Sequence, residues 1–298
     1  MRFRKYQGLG NDYIVLERDD LPGLGLTEAG LPGANAVVPG LPAALVRRIC
    51  DRHFGVGSDG ILIEDDAPEP GQIALRILNP DGTEAEKSGN GLRIFSRYLW
   101  DEGRVGEEPF LVVTRGGTVR CQVRDGGRTV FVEMGTARFD SELIPVLGPR
   151  REVVGEEIEA GDERLRMTAV TMGNPHCVVH VDEVSAELAR RLGPALENHR
   201  LFPTRTNVQF CKVLGPRRIQ IEIWERGAGY TLASGSSSCA AAAASVRLGH
   251  CSPGDVTVVM PGGTLEIVVG ADYAMTMLGP VGKVMEGSVA EEVLGEAG

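Results

Sequence analysis

The chain lacks the features that would mark it as a nucleic-acid-binding, membrane or metal-binding protein. Its 298 residues carry a formal net charge of −10 and contain no run of Lys and Arg, which argues against a phosphate-backbone partner. No apolar core opens the chain, and no segment approaches the roughly 18 apolar residues of a spanning helix. Six cysteines are scattered without a CxxC pair, so neither a zinc site nor a disulfide framework is indicated. We therefore expect a cytoplasmic protein with no membrane segment and no bound metal.

What the chain does contain is a series of short runs rich in β-branched residues, separated by Gly, Pro or Asp, which predicts many short strands. The predicted strands cover residues 73–78, 111–114, 130–132, 207–213, 219–224, 256–260 and 265–269. Apolar spacing predicts helices at residues 45–54, 92–99, 186–192 and 239–248. Ser185 is placed to cap the third helix, and residues 21–42, rich in Gly, Pro and Ala, are expected to form a surface insertion. The pattern predicts an α+β fold in which a mostly antiparallel sheet wraps around a central helix in each half of the chain.

The most informative feature is an internal repeat. In each copy a strand-like run is followed, nine residues later, by a Ser-Gly pair that opens a helix-like stretch. Asn79 and Ser88 mark the run and the pair in the first copy, and Glu225 and Ser234 mark them in the second. A Gly-Asn pair opens another strand-like run upstream of each copy, at residues 10–11 and at residues 173–174.

The repeat predicts two pseudo-symmetric lobes, residues 1–140 and 141–298, with strands that are free to cross between them. A Ser at a helix start is by itself no more than a good N-cap. Two such starts at matched spacing, each with Gly beside the Ser, instead favour a pair of helix N-termini that hold one carboxylate in a cleft between the lobes. Fixed backbone donors around a carboxylate are what a catalyst needs if it removes the proton beside that group.

Two further motifs have an ordinary structural explanation. Residues 55–60 match GxGxxG, but a helix precedes them and a short apolar run follows, whereas a dinucleotide-binding fingerprint needs a strand before and a helix after. We interpret these glycines as a turn that passes close to a ligand or to another backbone segment. His176 and His180 have no accompanying carboxylate pattern, so structural roles are favoured over metal ligation.

As a set, the motifs resemble those of the diaminopimelate epimerases, within the larger group of two-lobed amino-acid racemases that use no pyridoxal cofactor. The resemblance covers nearly the whole chain. It rests on Gly8-Leu9-Gly10-Asn11-Asp12, Asp51-Arg52-His53-Phe54-Gly55-Val56-Gly57, Asn79-Pro80-Asp81-Gly82, Glu84-Ala85-Glu86, Gly89-Asn90-Gly91-Leu92-Arg93, Gly173-Asn174-Pro175-His176, Asn207-Val208, Glu225-Arg226-Gly227-Ala228-Gly229 and Gly279-Pro280. It implies a homodimeric, cofactor-independent isomerase of lysine and peptidoglycan precursor biosynthesis that interconverts L,L- and meso-diaminopimelate.

By this resemblance the two catalytic positions are Ser88 and Ser234, each directly before the Gly of a helix start. The resemblance implies cysteine at both positions in that family, where a thiolate and a thiol act on opposite faces of the substrate α-carbon. The resemblance also implies that the reacting carboxylate is held by backbone donors of Gly89, Asn90, Gly235 and Ser236. It implies that the ammonium and carboxylate groups of the substrate are bound by Asn11, Asn79, Asn174, Asn207, Glu225 and Arg226.

Serine at both catalytic positions departs from the family pattern. A cysteine thiol ionises near pH 8.5, whereas a serine hydroxyl is a far weaker acid and needs an adjacent base. Gly60 stands where some members carry glutamine, and Tyr230 stands where an acidic residue is usual. The serines reflect either deliberate replacement of two cysteines or natural divergence, and the atypical Tyr230 favours divergence. The alternatives to an epimerase are a non-catalytic amino-acid-binding paralogue and a racemase or lyase that acts on another amino acid.

Overall fold

A computed structural model describes residues 1–17, 21 and 41–294 of the chain. Most of the predicted insertion at residues 21–42 therefore lies outside the described residues. The chain divides into two compact units: unit 1 is formed by Met1–Val132 and Pro280–Gly298, and unit 2 by Glu133–Gly279. No helix within the described ranges combines the length and the apolar composition that crossing a membrane requires.

In unit 1 a mostly antiparallel sheet packs around one long helix. The strands are β1 (Arg2–Gly8), β2 (Asn11–Leu16), β3 (Ile61–Asp65), β4 (Gln72–Leu78), β5 (Glu84–Ala85), β6 (Phe110–Thr114), β7 (Gly117–Arg124), β8 (Thr129–Thr136), which runs on into unit 2, and β18 (Gly282–Ser288). The helices are α1 (Ala43–Cys50), the central α2 (Gly89–Asp101) and the short α5 (Glu291–Leu294). The pairs β2–β3 and β4–β6 are parallel, and β18 joins the unit by pairing antiparallel with β1.

Unit 2 repeats this order of elements. Its strands are β9 (Glu156–Ala160), β10 (Glu163–Thr171), β11 (Pro175–His180), β12 (Asn207–Gly215), β13 (Arg218–Glu225), β14 (Gly229–Thr231), β15 (Gly254–Met260), β16 (Gly263–Val269) and β17 (Ala274–Pro280). Its helices are α3 (Ala186–Glu197) and the central α4 (Gly235–Arg247). The parallel pairs β11–β12 and β13–β15 fall where the parallel pairs of unit 1 fall, so the predicted repeat is also a repeat of topology.

The two central helices are buried for the reason that their sequences suggest. In α2 the apolar residues Leu92, Phe95 and Leu99 are fully buried, and their spacing places them on one side of the helix. In α4 the run from Ala240 to Ala244 is fully buried, because small side chains allow strands to approach the helix on several sides. The predicted α+β architecture, with a mostly antiparallel sheet around a central helix, is confirmed.

Helices α2 and α4 begin three and four residues before the predicted stretches, and the largest differences at the other end of a helix are in α1 and α3. Helix α1 ends at Cys50 instead of residue 54, because the carboxylate of Asp51 accepts hydrogen bonds from the N–H groups of His53 and Phe54 and closes a turn there. The turn at residues 55–60 that follows leads into β3, as predicted. Helix α3 continues past residue 192 to Glu197, and its predicted cap is confirmed by a 3.1 Å hydrogen bond from the N–H of Leu188 to the hydroxyl of Ser185.

Candidate active site

The start of α2 presents the first predicted catalytic residue. Ser88 has an extended backbone (φ −139°, ψ 119°), and its Oγ accepts a 3.0 Å hydrogen bond from the N–H of Gly91. Gly89 occupies the first helical position, where no carbonyl within the helix can bond its N–H. The hydroxyl of Tyr13, on β2, lies 3.3 Å from Ser88 Oγ. Ser88 is therefore an N-cap whose oxygen also lies within hydrogen-bonding distance of a phenol hydroxyl.

Two of the predicted binding residues of unit 1 are in direct contact. Asn90 Nδ2 donates to Asn11 Oδ1 at 2.9 Å, and Asn90 Oδ1 accepts from the guanidinium of Arg93 at 2.9 Å. Arg93 is fully buried, and a side chain at Gly8 would meet it, because a Cβ there would lie 2.9 Å from its Nη2. Since the side chain of Asn90 is engaged in this network, its backbone N–H is the group that suits the predicted role in binding a carboxylate.

A cluster of charged residues fixes the orientation of Asn11. Asp59 accepts a 2.8 Å hydrogen bond from Asn11 Nδ2 and a 2.7 Å hydrogen bond from Arg52. Asp12 pairs with Arg52 at 2.6 Å and with Lys5 at 2.7 Å. Burial acts to raise the pKa of Asp12, but hydrogen bonds from Arg52 and Lys5 outweigh it and lower that pKa. Because Asn11 Nδ2 is turned toward Asp59, its Oδ1 is the atom that faces Asn90.

Asn79 is not joined to the Asn11–Asn90 pair. Its Nδ2 donates to Thr83 Oγ1 at 2.9 Å, and its backbone N–H bonds the carbonyl of Thr83 at 2.8 Å. Asp81 accepts from the same threonine hydroxyl at 2.6 Å. These contacts are those of a residue that shapes the turn between β4 and β5.

The start of α4 in unit 2 repeats the geometry of the start of α2. Ser234 is extended (φ −149°, ψ 127°), and its Oγ accepts from the N–H of Ser237, although the bond is longer at 3.4 Å. Gly235 and Ser236 occupy the first two helical positions. Ser238 donates to the carbonyl of Ser234 at 2.8 Å. Within the described part of the chain, no titratable side chain hydrogen-bonds the hydroxyl of Ser234, which separates it from Ser88.

A chain of hydrogen bonds connects Asn174 to this helix start. His176 Nε2 lies 3.0 Å from Asn174 Oδ1, Gln209 Nε2 lies 3.1 Å from His176 Nδ1, and Gln209 Nε2 also donates to Ser237 Oγ at 3.0 Å. With Nδ1 as the acceptor, His176 carries its proton on Nε2 and donates it to Asn174. Burial lowers the pKa of His176 to about 3, so the ring is neutral. Asn174 Oδ1 is thereby occupied, and Nδ2 is the group that it offers to an anionic ligand.

Asn207 is joined to the turn that carries Arg226. Its Oδ1 accepts a 3.0 Å hydrogen bond from the N–H of Arg226, and its Nδ2 donates to the carbonyl of Pro175 at 2.9 Å. Buried Glu197 stabilises the same turn by accepting from the N–H of Gly227 at 2.9 Å. The guanidinium of Arg226 donates to the carbonyl of Thr204 at 3.2 Å. Arg226 is thus held by its backbone, and the carbonyl of Thr204 is the one hydrogen-bond partner of its guanidinium among the described residues.

The remaining predicted residues of unit 2 have partners on the neighbouring strands. Glu225 accepts from the hydroxyl of Thr231 at 3.3 Å. Tyr230 donates to Glu222 at 2.7 Å, and Arg190 lies 4.2 Å from the centre of its ring. Burial and the bond to Glu222 raise the pKa of Tyr230 to about 12. The atypical Tyr230 therefore takes part in a local polar cluster.

Sequence reasoning missed three residues: Tyr13, Gln209 and Ser237. The sequence predicted only a strand-like run at Tyr13, because its hydrogen-bond partner Ser88 is 75 positions away along the chain. Gln209 had a usable signal, since it stands two positions after Asn207 on the same strand and so on the same face. In the ranges that the structure describes, no group of three or more His, Cys, Asp or Glu side chains is arranged to hold a metal ion.

Comparison with known proteins identifies relatives over the full length of the chain. The model of the family described as diaminopimelate epimerase matches residues 3–139 and 168–288. The chain is 50% identical over 293 residues to diaminopimelate epimerase 2 of Nostoc sp., with 98% of this chain and 97% of the relative covered. It is 39% identical to the diaminopimelate epimerase of Desulfitobacterium hafniense, with 99% and 100% covered. The fold is similar to that of a hydroxyproline epimerase from Agrobacterium vitis solved with bound trans-4-hydroxy-L-proline, with a TM-score of 0.66, 16% identity and coverage of 96% of this chain and 91% of that one.

Proposed function

Because the chain belongs to the diaminopimelate epimerase family, we propose that it is an isomerase that interconverts L,L- and meso-diaminopimelate. The reaction removes the proton from one α-carbon and returns a proton to the opposite face. No cofactor is needed if the carboxylate beside that carbon is held by fixed donors while its charge grows. The proposal assigns the protein to lysine and peptidoglycan precursor biosynthesis, to the cytoplasm and to a homodimeric state.

The observation that carries this proposal is the pair of serine-capped helix starts. Ser88 and Ser234 have nearly the same backbone conformation, and each is followed by a Gly at the first helical position. We assign Ser88 and Ser234 to the two faces of the α-carbon. The first N–H groups of α2 and α4, from Gly89, Asn90, Gly235 and Ser236, are assigned to the reacting carboxylate.

The remaining polar residues are assigned to the ends of the substrate. Asn174 offers Nδ2, which suits a carboxylate, and the guanidinium of Arg226 suits bidentate binding of the distal carboxylate. Glu225 is an acceptor that suits an ammonium group. The full set of proposed binding side chains is Asn11, Asn79, Asn174, Asn207, Glu225 and Arg226.

The decisive experiment uses L,L-diaminopimelate in heavy water. Entry of deuterium at the α-carbon together with formation of the meso isomer supports the epimerase. The double variant Ser88→Cys/Ser234→Cys is expected to raise the rate by at least about 100-fold, because a thiol supplies the acid–base group that a serine hydroxyl lacks. If the double variant binds the substrate and still forms no meso isomer, the proposal is wrong.

A second candidate, a non-catalytic amino-acid-binding protein, is favoured by one specific observation. The hydroxyl of each serine already accepts the cap hydrogen bond of its helix, and Ser234 has no titratable hydrogen-bonding partner among the described residues. Such a protein binds diaminopimelate in calorimetry but exchanges no α-proton with heavy water. The same wild-type measurement therefore separates the two candidates.

A further inference from the structure

The contact between Tyr13 and Ser88 places a phenol hydroxyl beside the first of the two proposed catalytic serines. Tyr13 lies on β2 and its side chain is buried, with only 7% of its surface exposed. Its hydroxyl is 3.3 Å from Ser88 Oγ, a distance at which either oxygen can be the donor. Within the part of the chain that the structure describes, Tyr13 is the titratable side chain that hydrogen-bonds Ser88.

The number of atoms that the oxygen of Ser88 can contact shows whether a ligand can also reach it. An sp³ oxygen has four tetrahedral positions, and in Ser88 one is taken by Cβ and one by the N–H of Gly91. Tyr13 takes a third. Among the described residues nothing else bonds this oxygen, so one position is left for a ligand atom. Ser88 can therefore contact a ligand atom on one side while it is hydrogen-bonded to Tyr13 on the other.

The ring of Tyr13 lies where residue 60 has no side chain. A Cβ at residue 60 would lie 2.7 Å from Tyr13 Cε1 and 2.5 Å from the carbonyl oxygen of Leu78, so no side chain fits there while the ring is in position. The backbone N–H of Ile14 also bonds the carbonyl of Gly60 at 3.1 Å, which fixes the strand that carries the ring. A glycine at residue 60 and a tyrosine at residue 13 are thus complementary.

We propose that Tyr13 is the proton reservoir of unit 1 and acts on the substrate α-carbon through the hydroxyl of Ser88. In the forward step the C–H bond breaks and its proton binds Ser88 Oγ, while the original hydroxyl proton of Ser88 moves to the phenolate oxygen of Tyr13. The electron pair of the broken C–H bond stays on the substrate as an enediolate. In the reverse step neutral Tyr13 returns a proton along the same path, so no other reactant is needed.

General chemistry favours a phenol for this task. The pKa of a phenol is ordinarily near 10. It is therefore closer to the thiol pKa near 8.5 than the pKa of an aliphatic hydroxyl is. Removal of a general acid–base group typically slows a reaction by about 10² to 10⁴-fold. The inference rests on the proposed function, because it needs a substrate whose α-proton is exchanged.

The test measures deuterium entry into L,L-diaminopimelate across pH 7 to 10 for wild type, Tyr13→Phe and Tyr6→Phe. Tyr13→Phe keeps the ring against Gly60 and removes only the hydroxyl. Tyr6 is a matched control, because it stands opposite Tyr13 in the β1–β2 pairing and its hydroxyl donates to Asp101 at 3.0 Å, away from Ser88. We expect Tyr13→Phe to slow exchange by at least about 100-fold and to abolish the rise in rate toward alkaline pH, with Tyr6→Phe within about threefold of wild type.

The same Tyr13→Phe substitution made in a Ser88→Cys protein separates a proton relay from a packing effect. In Ser88→Cys the thiol exchanges protons itself, so adding Tyr13→Phe is expected to change the rate by less than about threefold. The relay is overturned if Tyr13→Phe slows exchange equally in the wild-type and Ser88→Cys proteins. It is also overturned if exchange in the wild-type protein is unchanged by Tyr13→Phe. Neither result contradicts the proposed function. Wild-type protein that binds diaminopimelate and exchanges no α-proton overturns the relay and the proposed function together.

Discussion

Acid is expected to destabilise the protein through His176, the buried centre of the hydrogen-bond chain that ends at Asn174. Burial lowers the pKa of His176 to about 3, against about 6.5 for a histidine in an unfolded chain. A folded-state pKa below the unfolded one means that the unfolded state binds the proton more readily. The stabilising contribution of neutral His176 is therefore complete above about pH 6.5 and is lost as the pH falls toward about 3.

The size of the effect follows from the same values. Each pH unit between the two pKa values costs about 1.4 kcal/mol, so lowering the pH from 7 to 5 removes about 2 kcal/mol through His176. His180 adds a similar loss, because burial, with a smaller effect of His250, lowers its pKa to about 4. Protonation of His176 at Nδ1 also turns an acceptor toward Gln209 Nε2 into a donor, which breaks the chain from Ser237 to Asn174.

Urea unfolding at pH 7 and pH 5 tests this reasoning. In His176→Gln, the fall in unfolding free energy between the two pH values is expected to be about 2 kcal/mol smaller than in wild type. His53→Gln is the control, because His53 is exposed in the turn after α1 and folding leaves its ring in water. If His176→Gln and wild type lose the same free energy between pH 7 and pH 5, the assignment of a buried neutral imidazole is refuted.

Two predictions concern the serines. Ser88→Ala and Ser234→Ala are each expected to lower the unfolding free energy by about 1 kcal/mol through loss of an N-cap, and the loss is expected to be larger at Ser88. The reason is that the cap hydrogen bond at Ser88 is 3.0 Å long, whereas the one at Ser234 is 3.4 Å long. Urea unfolding midpoints of the two variants measure the difference, and a larger loss at Ser234 would contradict this prediction. Among single cysteine variants, Ser234→Cys is expected to accelerate formation of the meso isomer more than Ser88→Cys, because no tyrosine within the described ranges hydrogen-bonds Ser234 as Tyr13 bonds Ser88. Chiral chromatography of the product follows this rate, and equal gains would argue against a functional difference between the two serines.

The elements of the fold were predictable where the signal is local. Apolar period and turn residues located seven of the strands and the two central helices. Ser185 is a cap because its hydroxyl reaches an N–H only three residues away. The end of α1 was not predicted, because the apolar pattern continues to residue 54. The Asp51 carboxylate nevertheless accepts hydrogen bonds from the N–H groups of His53 and Phe54, which ends the helix earlier.

The candidate site was predictable only in part, because its contacts join distant residues. The parallel pairing of β11 with β12 sets His176 beside Asn207, and this places Gln209 close enough to bond both His176 and Ser237. No local pattern specifies that register. The contact of Tyr13 with Ser88 likewise depends on how β2 packs beside the start of α2, which a one-dimensional pattern does not contain.

The two serines share a cap geometry, yet their surroundings give them different chemistry. A helix N-terminus stabilises a negative charge by about 0.3 to 2 kcal/mol, which lowers a pKa by little more than one unit and leaves a serine hydroxyl un-ionised near neutral pH. Ser88 is joined to a phenol at 3.3 Å, whereas Ser234 is joined to a backbone N–H at 3.4 Å and, within the described residues, to no titratable group. If Ser88 and Ser234 act as proposed, we expect proton transfer at Ser234 to be the slower of the two transfers and to limit inversion even when exchange at Ser88 is fast.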